Sequence, residues 1–239
     1  MKYGSITTGI IADGLIFNMD AANRSSYPRT GPIMHDTVGN ITGTLSGDGG
    51  GNNTPQWQDT NKGIFDFDGV DDSIDTATFT SQPLNHLNIW FSRAAGINTI
   101  SSSSNQTLLG WGTNGNLSGI WFGNFTGGAT DETILLYQAA QGNSLTYIRD
   151  TGDSNFHNLT INWNGATYDM YLDGIFRTTY PGSLGHLAQF NINHLNLGRS
   201  NNSSYHHTGN IANVQIYNRA LSSTEILNNY NALKGRFDL

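Results

Sequence analysis

Apolar and polar positions alternate with a period of two along many short stretches of this chain. Leu15-Ile16-Phe17-Asn18-Met19-Asp20 reads as an early strand. Ile64-Phe65-Asp66-Phe67 is another, with Phe65 and Phe67 on one face and the turn pair Asp68-Gly69 at its end. Leu87, Ile89 and Phe91 alternate with Asn88, Trp90 and Ser92. Short apolar runs recur at Leu108-Leu109, Ile120-Trp121-Phe122 and Ile134-Leu135-Leu136-Tyr137. Leu159, Ile161 and Trp163 lead to Asn164-Gly165, and Tyr168, Met170 and Leu172 return to Asp173-Gly174. Both pairs suit two-residue type I′ turns.

The period changes once, near the end. Ala212, Val214 and Ile216 alternate with Asn213 and Gln215 as a half-buried strand. Ser222 and Glu225 then form a capping box, Leu221 and Ile226 a hydrophobic staple, and Ile226, Tyr230 and Leu233 one helical stripe closed by Gly235. Many short strands and one helix predict an all-β chain, a two-sheet antiparallel β-sandwich or jelly roll, with a C-terminal helix over about residues 222–234. No internal repeat emerges, which argues against propellers and solenoids.

Composition narrows the function. A chain of 239 residues can bury a full core as one domain. Only 12% of residues are charged while Gly, Asn, Ser and Thr abound, which suits turns and polar strand faces rather than a helical bundle. The 11% aromatic content, spread through alternating segments, argues against disorder. Eighteen acids against 11 bases leave a net charge of -7, a poor match for nucleic acid or an anionic membrane surface. No apolar run is long enough to span a bilayer or to act as a secretory signal. With no cysteine there are no disulfides, thiolate chemistry or Cys-ligated zinc.

Residues 1–9 are expected to be a Thr/Ser-rich arm outside a domain covering residues 10–239, and the Gly/Asn run 47–53 a surface loop within it. Several segments occur in the order seen in one family. Asp36-Thr37-Val38-Gly39-Asn40 with Gly43-Thr44-Leu45 is similar to "D-x-S-G-N…G-T-L", with Val38 in place of Ser. Phe67-Asp68-Gly69-Val70-Asp71-Asp72-Ser73-Ile74 resembles "F-D-G-x-D-D-Y-I", with Ser73 where an aromatic is common. Tyr171-Leu172-Asp173-Gly174 matches "Y-V-D-G". The stretch from Gly209 through Ile226 resembles "G-x-I-x-x-V-x-I-Y-N-R-A-L-S-x-x-E-I". Together these resemble the laminin-G-like jelly roll of the concanavalin A-like lectins and glucanases. The ending, residues 229–237, is similar to that of laminin-G-like proteins of tailed phages.

Glycoside hydrolysis needs two carboxyls flanking the scissile bond. Hydrolases of the resembling fold present them as E-x-D-x-E. Here the only glutamates are Glu132, which has no partner at that spacing, and Glu225, which caps a helix, so the chain is read as a non-enzyme. Asp66, Asp68, Asp71, Asp72 and Asp75 form the densest acidic cluster, and D-x-D-G resembles the start of an EF-hand loop. That loop fails at Ala77. The plainer reading is a polar strand face running into a turn capped by Asp72. The resemblance implies calcium at a sandwich rim without assigning its ligands residue by residue, and Asp68, Asp71 and Asp72 of this cluster are the candidate ligands. His206-His207 would diverge from a single ion. The loop over residues 200–208 reads as an exposed rim, in which Asn201, Asn202, Tyr205 and His206 are candidate sugar contacts. Trp90 alternates out of phase with its strand's core positions. It is a stacking candidate if its face is open, unless the terminal helix covers it.

The resemblance implies a non-enzymatic structural or decoration protein on the exterior of a phage particle, made in the host cytoplasm without a signal peptide. Its partners would be other capsid or tail proteins, further copies of itself as a homo-oligomer, and a host or environmental glycan bound weakly. No cofactor is required, with calcium the one candidate. The alternatives are a soluble or cell-surface lectin and, ranked last, a glycosidase.

Overall fold

The computed structural model describes residues 9–47, 54–94, 105–111, 118–123, 133–138, 144–149, 153–179, 190–201 and 205–239. The arm expected over residues 1–9, except Gly9, and most of the expected loop at 47–53 lie outside them. In chain order the first strands are β1 (Leu15–Asp20), β2 (Ile33–His35), β3 (Thr42–Ser46), β4 (Gln56–Gln58), β5 (Ile64–Asp68), β6 (Ser73–Thr76), β7 (Gln82–Pro83), β8 (His86–Arg93) and β9 (Gln106–Trp111). Next come β10 (Ser118–Gly123), β11 (Thr133–Gln138), β12 (Ser144–Arg149), β13 (His157–Trp163), β14 (Tyr168–Leu172) and β15 (Ile175–Thr179). Last are β16 (Asn191–Ile192), β17 (Asn196–Leu197), β18 (Thr208–Tyr217) and the helix α1 (Ser223–Lys234).

The first sheet runs β15-β14-β13-β8-β18-β5-β4, with β1 also paired to β18. The second runs β12-β11-β10-β9-β17-β6-β3-β2, and β7 and β16 form a small separate pair. Pairing is antiparallel in both large sheets, as the alternating pattern predicts. Strand β18 is long enough to hold two partners on one edge: residues 208–211 pair with β5 and residues 213–217 with β1. Between the sheets lie Phe17, Met19, Phe65, Phe67, Leu87, Ile89, Phe91, Leu159 and Ile161, facing Ile74, Leu109, Trp111, Ile120, Phe122, Ile134 and Leu136 in one cluster. Each such side chain contributes about 1.5–3 kcal/mol on burial, more than any local strand preference, so the alternation decides which face turns inward.

Two local expectations need correction. Register slips between Ile211 and Asn213, so Ile211 joins Val214 and Ile216 in the core while Ala212 packs on the opposite face with Trp90 and Ile64. A bulge reverses the inward parity of every residue before it. The two expected tight turns also differ. Leu172 pairs with Ile175, leaving Asp173 (φ 57°) and Gly174 (φ 73°) as a two-residue turn. Trp163 instead pairs with Tyr168, so Asn164-Gly165 belongs to a four-residue loop. There the Asn164 side-chain oxygen accepts the N–H groups of Ala166 (3.1 Å) and Thr167 (2.9 Å), an alternative to the type I′ turn that the dipeptide alone predicts.

Helix α1 lies on the outer face of the first sheet. Ser222 and Glu225 form the predicted capping box, and Leu221 and Ile226 pack with Tyr171 and Tyr217. Asn162 fixes the entry to the helix, accepting from Leu221 N–H at 2.9 Å and donating to Leu221 C=O at 3.0 Å. Gly235 keeps right-handed angles (φ -65°, ψ -9°). The chain therefore turns on without a left-handed cap and brings Phe237 back onto the sheet.

Candidate functional site

The turn after β5 is built by its own aspartates. Asp68 Oδ1 accepts the Val70 N–H at 2.7 Å, and Asp72 Oδ2 accepts the Asp68 N–H at 2.9 Å. Gly69 has φ +82°, and a Cβ there would stand 1.9 Å from Thr208 Oγ1, so the turn is pressed against the start of β18. Carboxylate oxygens of Asp68, Asp71 and Asp72 converge to within 4.8 Å of one another. Asp72 is 3% exposed, and its Oδ1 is buried without a hydrogen-bond partner among the described residues. Burial pushes the Asp72 carboxyl up to about 6; the Asp68 N–H opposes this, while the charges of Asp68, Asp71 and Asp66 add to it. Hard oxygen donors around an unsatisfied buried carboxylate oxygen fit calcium, so these three residues are the ones that would hold it.

Beside this turn, strands β3, β6 and β17 lie next to one another in the second sheet. Ile74 of β6 points into the core, which turns Ser73 and Asp75 outward. They line a polar rim pocket of about 230 Å³ together with Ser46, Gly47, Asp71, Arg199 and His206. Asp75 Oδ1 accepts from Arg199 Nε (2.9 Å) and Asn196 Nδ2 (2.7 Å), and its Oδ2 from Ser73 Oγ (3.0 Å). The Arg199 guanidinium is thereby held at the pocket wall. His206 Nδ1 lies 3.4 Å from the Asp72 carbonyl. The pocket thus offers hydroxyls, an imidazole, a guanidinium and carboxylates within one concavity.

The structure therefore joins candidates that are far apart in sequence: Asp71 and His206 face the same cavity, and Asp68 and Asp72 build the adjoining turn. Tyr205 is 40% exposed with φ 59°, its ring 5.0 Å from that of Trp121. The Asn201 side-chain oxygen accepts from His194 Nε2 at 2.9 Å. Asn202 lies outside the described residues. His207 diverges from His206 as expected. It is fully buried against Phe67 and Phe122, and burial pulls its imidazole down to about 3.

Trp90 is corrected. Its side chain is 0% exposed, stacked with Tyr230 at 5.5 Å and Phe237 at 4.6 Å, so it cannot meet a ligand. The helix and the turn after it cover the face on which it stands. The sequence pattern does not single out Ser46, Ser73 or Arg199. Ser73 carries a signal in its alternation with Ile74; Ser46 and Arg199 carry none.

The model of the concanavalin A-like lectin/glucanases superfamily matches residues 68–227, which include the turn and most of the rim. No curated protein sequence matches the chain. Among solved structures, Trypanosoma rangeli sialidase in complex with sialic acid superposes with a TM-score of 0.62 at 13% identity, over 93% of this chain and 33% of that one. The receptor-binding domain of botulinum neurotoxin D gives 0.63 at 13% identity, over 91% and 52%. The binding domain of botulinum neurotoxin serotype G gives 0.60 at 14%, over 90% and 50%. The chain spans about a third to a half of the length of these proteins, and likeness at such identities speaks for the fold alone.

Proposed function

The chain belongs to the concanavalin A-like lectin/glucanase superfamily, and from that premise we propose that it is a non-enzymatic, saccharide-recognising module displayed on the exterior of a bacteriophage particle. The rim pocket carries the recognition half of this reading. Ser46, Ser73, His206 and Arg199 are groups that hydrogen-bond sugar hydroxyls, and Tyr205, next to His206 in the chain and packed on Trp121, is a half-exposed aromatic ring.

Recognition without cleavage is supported by what the carboxylates already do. Asp75 is bound by Arg199, Asn196 and Ser73, while Asp68 and Asp72 accept N–H groups of their own turn. A hydrolytic pair needs one carboxyl poised to give a proton and another to attack or activate water. Glu225 is engaged by Arg219 and Ser222.

The virion half is supported by the ending over residues 229–237, which is similar to that of laminin-G-like tailed-phage proteins. Attachment to capsid or tail proteins in repeated copies would let weak sites act with avidity. Mass spectrometry of purified particles tests this, and absence of the protein from them rejects it. A glycan array on the isolated protein tests recognition: His206→Ala and Arg199→Ala are expected to lose the signal, and an array blank for the unaltered protein rejects the pocket.

A second reading, a soluble or cell-surface lectin, is favoured by the neighbours described as receptor-binding domains and as a sialidase holding sialic acid. Tight, calcium-dependent binding by the isolated protein, together with its absence from particles, would select that reading.

A further inference from the structure

The outer face of the first sheet is only partly covered. Helix α1 and the turn after it close over Trp90, Ala212 and Ile64 with Tyr230, Leu233 and Phe237. Beyond Phe237 the cover ends, and a groove of about 540 Å³ opens over the ends of β8, β18 and β5. Its lining includes Ser92 of β8, Asn210 of β18, Gln58 of β4 and Asn61, with Phe156 and Phe237 among its apolar groups.

Three features give this groove a ligand class. First, its polar lining is amide and hydroxyl: Asn210 Nδ2 donates to Ser92 Oγ at 2.9 Å and Gln58 Nε2 to Asp66 Oδ2 at 3.0 Å, which holds both amides in place. Their remaining oxygens and hydrogens match sugar hydroxyls, which both donate and accept. Second, Phe156 and Phe237 stack at 4.4 Å and each leaves slightly under a tenth of its surface open, an apolar edge for the C–H face of a pyranose ring. Third, among the described residues the lining has no cationic side chain, and it includes the acid Asp238. Arg236 lies beside the groove, its guanidinium 5.1 Å from the Phe237 ring, but it is paired with Asp20 Oδ1 (2.7 Å) and donates to Asn61 C=O (2.6 Å) and Gly63 C=O. Those bonds also pin the turn after α1 that forms the wall, so the groove is preorganised. Asp238 would repel an anionic sugar, and the guanidinium nearby is already paired with Asp20.

We propose that this groove binds an uncharged saccharide segment, with the Asn210 and Gln58 amides against its hydroxyls and the Phe156–Phe237 edge against a ring face. The volume falls within the range of about 300–1,000 Å³ usual for small-ligand sites. The groove lies on the outer face of the first sheet and the rim pocket on that of the second, so the inference does not rest on the rim reading. Two sites on opposite faces would let one copy bridge two saccharide chains.

The test is a side-chain amide NMR titration of the full chain with maltotetraose and chitotetraose, with 3′-sialyllactose as the charged comparator. Expected are saturable shifts of the Asn210, Gln58 and Asn61 amides with at least one uncharged sugar, and none with the charged one. Asn210→Ala should weaken that binding about tenfold, the scale of one lost hydrogen-bonding group, with the melting temperature retained. His206→Ala at the rim should leave it unchanged. No shift at these amides with either uncharged sugar, stronger shifts with sialyllactose, or binding lost with His206→Ala but not with Asn210→Ala overturns the proposal.

Discussion

The rings of Trp90 and Phe237 lie 4.6 Å apart and 21° from parallel, which ties the chain's last turn to the middle of β8. Phe237 is 8% exposed and Trp90 fully buried, so the contact seals the outer face of the first sheet. Phe237→Ala removes that seal. It should cost about 3 kcal/mol, the lower end for a buried Phe→Ala change, read as a lower urea midpoint. Trp90 should emit at longer wavelength as water reaches it. An unchanged midpoint would mean that Tyr230 and Leu233 cover the indole unaided.

The start of α1 makes a separate prediction. Ser222 Oγ accepts the Glu225 N–H, Glu225 Oε2 accepts the Ser222 N–H at 2.8 Å, and Arg219 Nη2 donates to Glu225 Oε1 at 2.6 Å. Hydrogen bonds from Arg219 first, then the Ser222 N–H, hold the Glu225 carboxyl down to about 2. A folded-state value below the unfolded one gives stability that is present above about pH 4.3 and lost as pH falls toward the folded value. Glu225→Gln should therefore flatten the acid limb of the stability curve. Ser222→Ala should cost about 1 kcal/mol at all pH values where the protein folds. Urea titrations at about pH 3 and about pH 6 separate the two.

These two regions were legible to different degrees for physical reasons. The capping box is a local device, four residues whose bonds close on themselves, so Ser222 and Glu225 could be placed from spacing alone. Phases set by alternation, such as Leu87, Ile89 and Phe91 inward, were equally readable. Ala212 was not, because a bulge is invisible to a period-two pattern and reverses the face. The fate of Trp90 depended on whether Phe237 returns to the sheet, a contact between residues 147 positions apart. At the rim, His206 was singled out as a candidate sugar contact and Asp71 as a candidate calcium ligand by residue type, and both line the pocket. Arg199 was not, because only the pairing of β17 with β6 brings it to Asp75.

His157 sits between two carboxylates, with Nδ1 2.8 Å from Asp173 Oδ2 and Nε2 3.1 Å from Asp153 Oδ1. Burial by itself would lower the imidazole. The hydrogen bonds to Asp173 and then Asp153, with their charges, outweigh it and leave His157 above its usual value. A raised folded-state value means that the stabilisation is complete below the unfolded value of about 6.5 and is lost as pH rises through the folded one. Stability should accordingly decline as pH rises above about 6.5. His157→Gln should remove that slope. A slope that survives the substitution would assign it to another group.

The aspartate turn gives the last prediction, because its two roles respond oppositely to one substitution. If the carboxylates serve only to close the turn, Asp72→Asn is harmless or favourable: the amide oxygen can still accept the Asp68 N–H, and a buried charge beside Asp68 and Asp71 is gone. If they hold calcium, the same change removes a ligand. The expected outcome is that calcium chloride raises the melting temperature relative to EDTA, with a stabilisation of about 2.7 kcal/mol at a hundred times the dissociation constant. Magnesium should do less, since it prefers a compact octahedron and keeps its waters. Asp72→Asn should abolish the calcium increment while leaving the EDTA melting temperature equal or higher. Asp72→Ala should lower the EDTA value too, because the Asp68 N–H loses its acceptor. Equal melting temperatures in calcium and EDTA for the unaltered chain would reduce the cluster to a turn-closing device.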